Sequence, residues 1–360
     1  MIDLVLLITV SVLICELIKK SKKNKFIKSI LVLTLILVLT LFSGLRTTYN
    51  DTSSYLHGFT LIDSALNISF DTLLSPYGGF EVLQILIKRY ISANPQYLLL
   101  ITSFFINLVF VQFFIKRSTN LTITILCYFI VGPYVFSMAG VKQAVSMAFS
   151  LLAIDQLLND NKIGFYVLIL VSFLFHPYIL CLLILPLFFY NVWDKKIIIL
   201  MSIMVILISN INVLLTIASW VGKDYSIEDF LSNTIHPMRV LVEMIPVFLS
   251  FFGRKIIRTE KDYLLNLGIN MACVNVVMIF MSLFYNPIYF ARIGTYFSVL
   301  NAIIIPKMLD VIYRKNINKN GNKLIFYLVF IVYLFLDLTK LGSISIFTDL
   351  FNHISLFDLL

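Results

Sequence analysis

The sequence predicts an all-α, polytopic transmembrane helix bundle, and its composition and long apolar runs are the main reasons. Of the 360 residues, 60% are hydrophobic and 13% are charged, and the mean hydropathy is +0.95. Soluble domains carry about 25% charged and roughly 45–50% apolar residues. These values exclude a soluble globular enzyme and a disordered chain. The continuous apolar runs also differ from the short alternating strands of an outer-membrane barrel.

About twelve segments approach the roughly 17–25 apolar residues that a spanning helix needs. Segment 81–94 contains Lys88-Arg89 and is predicted to be an interfacial or re-entrant helix, with a thirteenth span as the alternative. Segments 163–175 and 177–192 form either a tight hairpin or two half-helices around His176-Pro177. The predicted spans are 2–18, 29–45, 97–115, 121–137, 142–158, 163–175, 177–192, 197–217, 240–253, 264–284, 292–312 and 324–341.

The basic loops predict the orientation of the bundle. With twelve spans, five basic stretches fall on one side, which the positive-inside rule makes cytoplasmic: 19–28, 116–117, 195–196, 254–261 and 314–323. The loops 46–80 and 218–239 and the tail 342–360 are then exterior, and both termini lie outside. No segment outside the spans is long enough to fold alone, so we expect residues 1–360 to form a single integral membrane domain.

The sequence offers no sign of a metal or cofactor. Cys15, Cys127, Cys181 and Cys273 each lie alone in an apolar run, and no metal-ligand spacing or acidic DxD-type cluster occurs. We therefore expect no cofactor and no required metal. The basic residues are spread over short loops, which indicates membrane topology and not a nucleic-acid partner.

Four cations lie at or near the predicted outer ends of spans: Arg46, Lys142, Arg239 and Arg292. Charge at membrane depth costs at least ~2.5–3.5 kcal/mol per residue, so such groups indicate function. Together they suggest a site for an anionic group such as a pyrophosphate or carboxylate. The alternative is that each one snorkels or pairs locally, as Arg46 would with Asp51 and Arg239 with Glu243.

Two local motifs carry further candidate residues. In residues 43–59, Asn50 or Asp51 is a plausible N-cap, and a helix that starts there places Asp51, Tyr55 and Phe59 on one face. In residues 172–180, His176 precedes Pro177. It is either a functional group, as an acid, a base or a hydrogen-bond donor to a phosphate, or a residue that satisfies the carbonyls freed at a helix break. Tyr55 and Tyr296 belong either to an interfacial aromatic belt or to a platform for sugar rings.

Taken in order, these motifs resemble the EpsG-like family of bacterial polysaccharide polymerases, which are related in role to the Wzy-type polymerases of O-antigen and capsule. The resemblance covers roughly residues 40–310. It rests on five segments: Arg46 to Phe59 with Asn50-Asp51, Gly78-Gly79-Phe80-Glu81, Val141-Lys142-Gln143-Ala144, Phe175-His176-Pro177, and Arg292 with Tyr296-Phe297. The family usually has a Gly-Thr-Asp-like turn at Tyr49-Asn50-Asp51. It usually has Arg at position 142, and Lys lacks the bidentate geometry of Arg.

The resemblance implies a glycosyltransferase of the bacterial cytoplasmic membrane. It would join undecaprenyl-pyrophosphate-linked oligosaccharide repeat units at the outer face, alongside membrane lipids, a flippase and a chain-length regulator. His176, Asp51 and Glu81 are then candidate catalytic bases. The substrate-binding candidates are Arg46, Lys142, Arg239, Arg292, Tyr55 and Tyr296. Two alternatives remain, a lipid-linked oligosaccharide flippase or transporter, and a membrane O-acyltransferase acting on a glycan with His176 as its base.

Overall fold

Helices form all of the regular secondary structure that the structure describes, apart from one isolated β-bridge, and this confirms the all-α prediction. The computed structural model describes residues 2–21, 23–65, 68–208, 237–314 and 352–355, with isolated positions 216, 219, 228 and 235. The predicted span 324–341 and most of the predicted exterior loop 218–239 lie outside the described residues.

The helices follow one another with short connections. In chain order they are α1 (Ile2–Lys20), α2 (Lys25–Gly44), α3 (Thr52–Leu61), α4 (Phe70–Leu74), α5 (Gly78–Tyr90), α6 (Gln96–Arg117), α7 (Leu121–Ile130), α8 (Pro133–Ala139), α9 (Val141–Leu158), α10 (Lys162–Phe173), a 3₁₀ helix (Pro177–Phe188), α11 (Lys195–Ile208), α12 (Pro237–Glu243), α13 (Ile245–Ile257), α14 (Tyr263–Met281), α15 (Pro287–Phe297) and α16 (Asn301–Arg314).

Among the described residues, four helices are long and apolar enough to cross a membrane: α2, α6, α9 and α14. Two bent helix pairs raise the number of candidate spans among the described residues to six. The chain is therefore a membrane protein. Twelve spans, a single domain and exterior termini stay predictions. Segment 81–94 is not among these candidates; most of it belongs to α5, a helix of 13 residues.

Several predicted spans are bent or interrupted, and local sequence explains most of the breaks. The predicted span 121–137 is the pair α7 and α8, which meet at 44° where Gly132 adopts a φ of +90° and Pro133 begins the next helix. The predicted span 240–253 is interrupted at Met244, two residues before Pro246. The predicted span 292–312 is bent by 51° between Phe297 and Asn301.

The His176-Pro177 break lies where the sequence predicts it. Helix α10 ends at Phe173, and the 3₁₀ helix begins at Pro177. Pro177 has no N–H to donate to a helical carbonyl, and its ring disfavours helical backbone at the preceding residue. The two apolar segments are therefore separate short helices and not one long one.

Contacts divide the chain into two compact units. The first unit comprises residues 1–152, 174–176 and 320–360, and the second comprises residues 153–173 and 177–319. In the first unit α2 packs along α6, with Gly44 directly against Leu100. Its core contains a cluster of fully buried rings: Phe110, Phe114, Tyr128, Phe129 and Tyr134.

The second unit is built around α14, whose residues are almost all buried. Helices α15 and α16 pack on it. Asn270 of α14 donates hydrogen bonds to the carbonyls of Phe188 and Tyr190. These bonds hold the C-terminal end of the 3₁₀ helix against α14. Lys307 forms an ion pair of 2.5 Å with Asp262 at the start of α14.

We predict that Gly44→Ala lowers the thermal stability of the purified protein by several degrees. A Cβ at position 44 would lie 2.9 Å from the Leu100 Cα, so α2 and α6 must separate. The measurement is a melting curve in detergent.

Gly58→Ala in α3 is the matched control, because a Cβ there meets nothing within 4 Å. It should melt at or above the wild-type temperature, since alanine favours a helix over glycine by about 1 kcal/mol. Equal melting temperatures for the two variants would contradict close packing of α2 on α6.

Candidate active site

A sharp turn after α2 sets the position of α3. Tyr49 and Asn50 both have positive φ angles, and Asp51 occupies the N-cap position that the sequence predicts. The Asp51 side chain makes no capping bond and is exposed. Thr52 instead closes the turn: its N–H and its hydroxyl both donate to the Tyr49 carbonyl, at 3.1 and 2.6 Å.

Arg46 lies inside this turn and is 1% exposed. Its Nε donates to the Thr52 hydroxyl at 3.0 Å, its Nη2 to the Met138 carbonyl at 2.9 Å, and its Nη1 to the Ser43 carbonyl. Burial lowers the pKa of Arg46 to about 10, so the guanidinium remains cationic at neutral pH. Arg46 therefore links the end of α2, the start of α3 and the end of α8.

The charge of Arg46 faces tyrosines and not carboxylates. After burial, the electrostatic effects on the pKa of Arg46 come from Tyr134, Tyr55 and Tyr49. Within the described part of the chain, no carboxylate lies at ion-pair distance from Arg46. The Arg46–Asp51 latch considered from the sequence is thus replaced by bonds to a hydroxyl and to carbonyls.

Residues 352–355 hold the other side of the Arg46 turn. The Thr47 N–H donates to the Asn352 carbonyl at 2.7 Å, and the Ile354 N–H donates to the Leu45 carbonyl at 3.0 Å. The His353 ring lies 4.7 Å from the Phe42 ring. The Gln96 side-chain amide also holds this turn, because it donates to the carbonyls of Gly44 and Arg46.

Helix α5 begins at a glycine pair that allows close packing. Tyr77 has a φ of +64°, and a Cβ on Gly78 would lie 2.5 Å from the Leu73 carbonyl oxygen. The Gly79 N–H donates to the Leu174 carbonyl at 2.9 Å, and a Cβ on Gly79 would lie 2.7 Å from the Leu174 Cβ. This contact brings residues 174–176 against the start of α5.

His176 is buried against Tyr77. It is 4% exposed, and its ring centroid lies 5.7 Å from that of Tyr77. Tyr77 also contacts Lys142, at the start of α9. The Lys142 Nζ is 4.8 Å from the Tyr77 ring centroid and 5.3 Å from that of Phe80. A cation over an aromatic face is stabilised by the ring quadrupole.

A cavity of about 280 Å³ opens between α3, the start of α5 and Lys142. Three of the residues predicted from the sequence line it: Tyr55, Glu81 and Lys142. Ser54 and Gln84 add a hydroxyl and an amide. The cavity therefore combines a carboxylate, a cation, an aromatic ring and neutral hydrogen-bonding groups.

The other predicted residues lie elsewhere. Asp51 is one helical turn before Tyr55 and outside the cavity lining, and His176 contacts the lining residue Tyr77 without lining the cavity itself. Arg239 on α12 and Arg292 on α15 are exposed residues of the second unit. Their neighbours Val240 and Ala291 pack with Ile279 in one apolar cluster, which places both cations where α12 and α15 meet α14. Tyr296 is fully buried in the second unit.

Sequence reasoning missed Gln84 and the role of Lys88. Gln84 lies three residues after Glu81, so helical spacing on α5 would have placed both on one face. Lys88 Nζ donates to the carbonyls of Phe59, Thr60 and Ile62, which caps the end of α3. Carbonyl acceptors occur at every residue, so no residue pattern could indicate this bond.

These features define an all-helical membrane protein with a small polar cavity beside a buried arginine. The chain matches the sequence model of the EpsG family over residues 29–349 and belongs to that family. It is therefore a membrane protein of polysaccharide biosynthesis, and the resemblance stated from its motifs is confirmed. No curated protein and no solved structure shows detectable similarity to the chain.

We predict that Arg46→Lys destabilises the first unit although the charge is kept. An ammonium group cannot reach acceptors in three separate segments, and each buried carbonyl left unpaired costs about 1–3 kcal/mol. The melting temperature should fall, and residues 46–80 should become more sensitive to limited proteolysis.

Lys23→Arg in the connection between α1 and α2 is the control: it exchanges the same two residue types at an exposed position and should melt like the wild type. If Arg46→Lys also melts like the wild type, the bonds of Arg46 do not hold α2, α3 and α8 together.

Proposed function

We propose that this protein is a polysaccharide polymerase of the cytoplasmic membrane that joins undecaprenyl-pyrophosphate-linked oligosaccharide repeat units. The observation that carries the proposal is the cavity in which Tyr55, Glu81 and Lys142 meet. Membership of the EpsG family supports the same reaction class. In this reaction a sugar hydroxyl on one repeat unit attacks the anomeric carbon of the growing chain.

The bond changes define what the cavity must supply. A C–O bond forms between the attacking hydroxyl and the anomeric carbon, and the C–O bond to the lipid pyrophosphate breaks. The hydroxyl proton passes to a base, and the pyrophosphate leaves with the bonding electrons. A base and a fixed cation at the leaving group are therefore needed.

Glu81 is the base that the geometry favours. Among the three bases predicted from the sequence it alone lines the cavity, whereas Asp51 and His176 are not part of the lining. We assign His176 a positioning role, because its ring supports Tyr77 and the Tyr77 ring in turn faces the Lys142 ammonium.

Lys142 is the cation that we place at the leaving pyrophosphate. Its ammonium group borders the cavity together with Glu81. Arg46 acts indirectly in this proposal. It binds the Thr52 hydroxyl at the start of α3 and the Met138 carbonyl four residues before Lys142, so it fixes both walls of the cavity. Tyr55 offers a ring on which a sugar can stack.

We predict that Glu81→Gln and Lys142→Gln each abolish long polymer while the protein still reaches the membrane. Loss of general-base catalysis lowers rates by roughly 10²- to 10⁴-fold. The measurement is the length distribution of surface polysaccharide on a gel, with the amount of membrane-inserted protein determined in parallel.

Asp71→Asn and Lys162→Gln are matched controls, since both side chains are exposed and neither lines the cavity. Both should give normal polymer. His176→Gln should reduce polymer less than Glu81→Gln, because its ring acts only through Tyr77. The reverse ranking would assign the base to His176.

We predict that Arg239→Gln and Arg292→Gln also shorten the polymer. Both cations are exposed where α12 and α15 meet α14, and exposed cations can attract an anionic lipid-linked substrate. Arg254→Gln in α13 is the control and should leave the polymer length unchanged. Normal polymer from both single variants would show that neither cation contributes to the reaction.

Deletion of the gene tests the proposed function against its alternatives. A surface-polysaccharide ladder that collapses to a single repeat unit indicates that the protein polymerises units already exported. Loss of the single-unit band, with lipid-linked units retained inside, would indicate a flippase instead. An unchanged ladder with altered acylation would indicate an O-acyltransferase.

A further inference from the structure

A second cavity lies far from the polar one, between α2 and α6. Its volume is about 560 Å³, within the roughly 300–1,000 Å³ of ligand clefts in proteins. It lies at the end of α2 that begins with Lys25, whereas the Arg46 turn follows the other end, at Gly44. Twenty helical residues separate these ends by about 30 Å.

The lining of this cavity is basic at one end and apolar along its length. Lys25, Lys28, Val32 and Ile36 recur at spacings of three or four residues, so they share one face of α2. Leu108 and Ile115 of α6 form the opposite wall, with Gln112 between them. We call this feature the α2–α6 groove.

The charge at the mouth of the α2–α6 groove is not balanced by nearby acids. Residues 17–50 contain no Asp or Glu, and six lysines occur between positions 19 and 28. In the part of the chain that the structure describes, neither Lys25 nor Lys28 forms an ion pair. The groove therefore matches a ligand with a negative head and an apolar tail.

The apolar part of the α2–α6 groove is open at the surface of the first unit. Only 28% of the apolar window of α2 is buried inside the protein, against 61% for α6. Leu33, which also lines the groove, is 49% exposed. Because α2 is long and apolar enough to cross a membrane, this open side suits a ligand that comes from the lipid phase.

We propose that the α2–α6 groove is a binding site for an anionic phospholipid. The lipid phosphate lies between Lys25 and Lys28, and one acyl chain runs along Val32, Ile36 and Leu108. Basic pockets between spanning helices bind anionic headgroups in this way. The site is separate from the polar cavity, and the proposal does not depend on the polymerase reaction.

The test measures lipid preference of the purified full-length protein and of two double variants. Lys25→Gln with Lys28→Gln removes both charges of the groove. Lys20→Gln with Lys23→Gln removes two charges of the same basic loop that do not line it. Each protein is placed in phosphatidylcholine nanodiscs with labelled phosphatidylglycerol, and the bound fraction of labelled lipid is determined.

We expect the groove variant to lose roughly fivefold or more of its preference for phosphatidylglycerol, while the loop variant keeps most of it. Equal losses in the two variants would indicate attraction to the basic loop as a whole and would overturn the proposal. Unchanged preference in the groove variant would overturn it as well.

A third variant tests the apolar part of the α2–α6 groove. Leu108→Trp fills the space of the acyl chain and leaves both lysines in place, so it should also lower the preference. Inorganic phosphate should not displace the labelled lipid. If it does, or if a polyprenyl phosphate displaces the phospholipid at equal concentration, the groove is not a phospholipid site.

Discussion

The buried guanidinium of Arg46 is the interaction on which the polar cavity depends. It connects the Ser43 carbonyl, the Thr52 hydroxyl and the Met138 carbonyl, so one side chain sets the relative positions of α2, α3 and α8. Lys142 follows Met138 by four residues, and Tyr55 follows Thr52 by three. The bonds of Arg46 to Met138 and Thr52 therefore position both walls of the cavity. A buried charge with carbonyl partners is costly to disturb, which favours a single geometry.

Much of this arrangement was predictable because it has local signals. The prediction of an N-cap at Asn50 or Asp51 rests on residue type, and that of a break at His176-Pro177 on the missing N–H of proline. The choice of Arg46, Glu81 and Lys142 rested on the cost of charge near a membrane and on the family resemblance. The partners of Arg46 were not predictable, because Met138 is 92 residues away and any carbonyl accepts a hydrogen bond.

Hydropathy predicts where the apolar segments lie but does not predict where a helix bends. Apolar runs predicted 121–137 and 292–312 as single spans, whereas the chain bends within each. Hydropathy averages over a window, and a single Gly132 with positive φ leaves the average unchanged while it redirects the helix. The placement of the His176 ring against Tyr77 is likewise a packing property, because the contact of Gly79 with Leu174 brings residues 174–176 to the start of α5.

We propose that the polar cavity forms glycosidic bonds between lipid-linked repeat units. The most direct measurement is reconstitution of the purified protein in vesicles with an undecaprenyl-pyrophosphate-linked repeat unit as the sole substrate. We expect a ladder of lengthening chains and one lipid pyrophosphate released for each bond formed. If the folded protein moves the repeat unit across the vesicle membrane but no chain grows and no pyrophosphate is released, this proposal is contradicted.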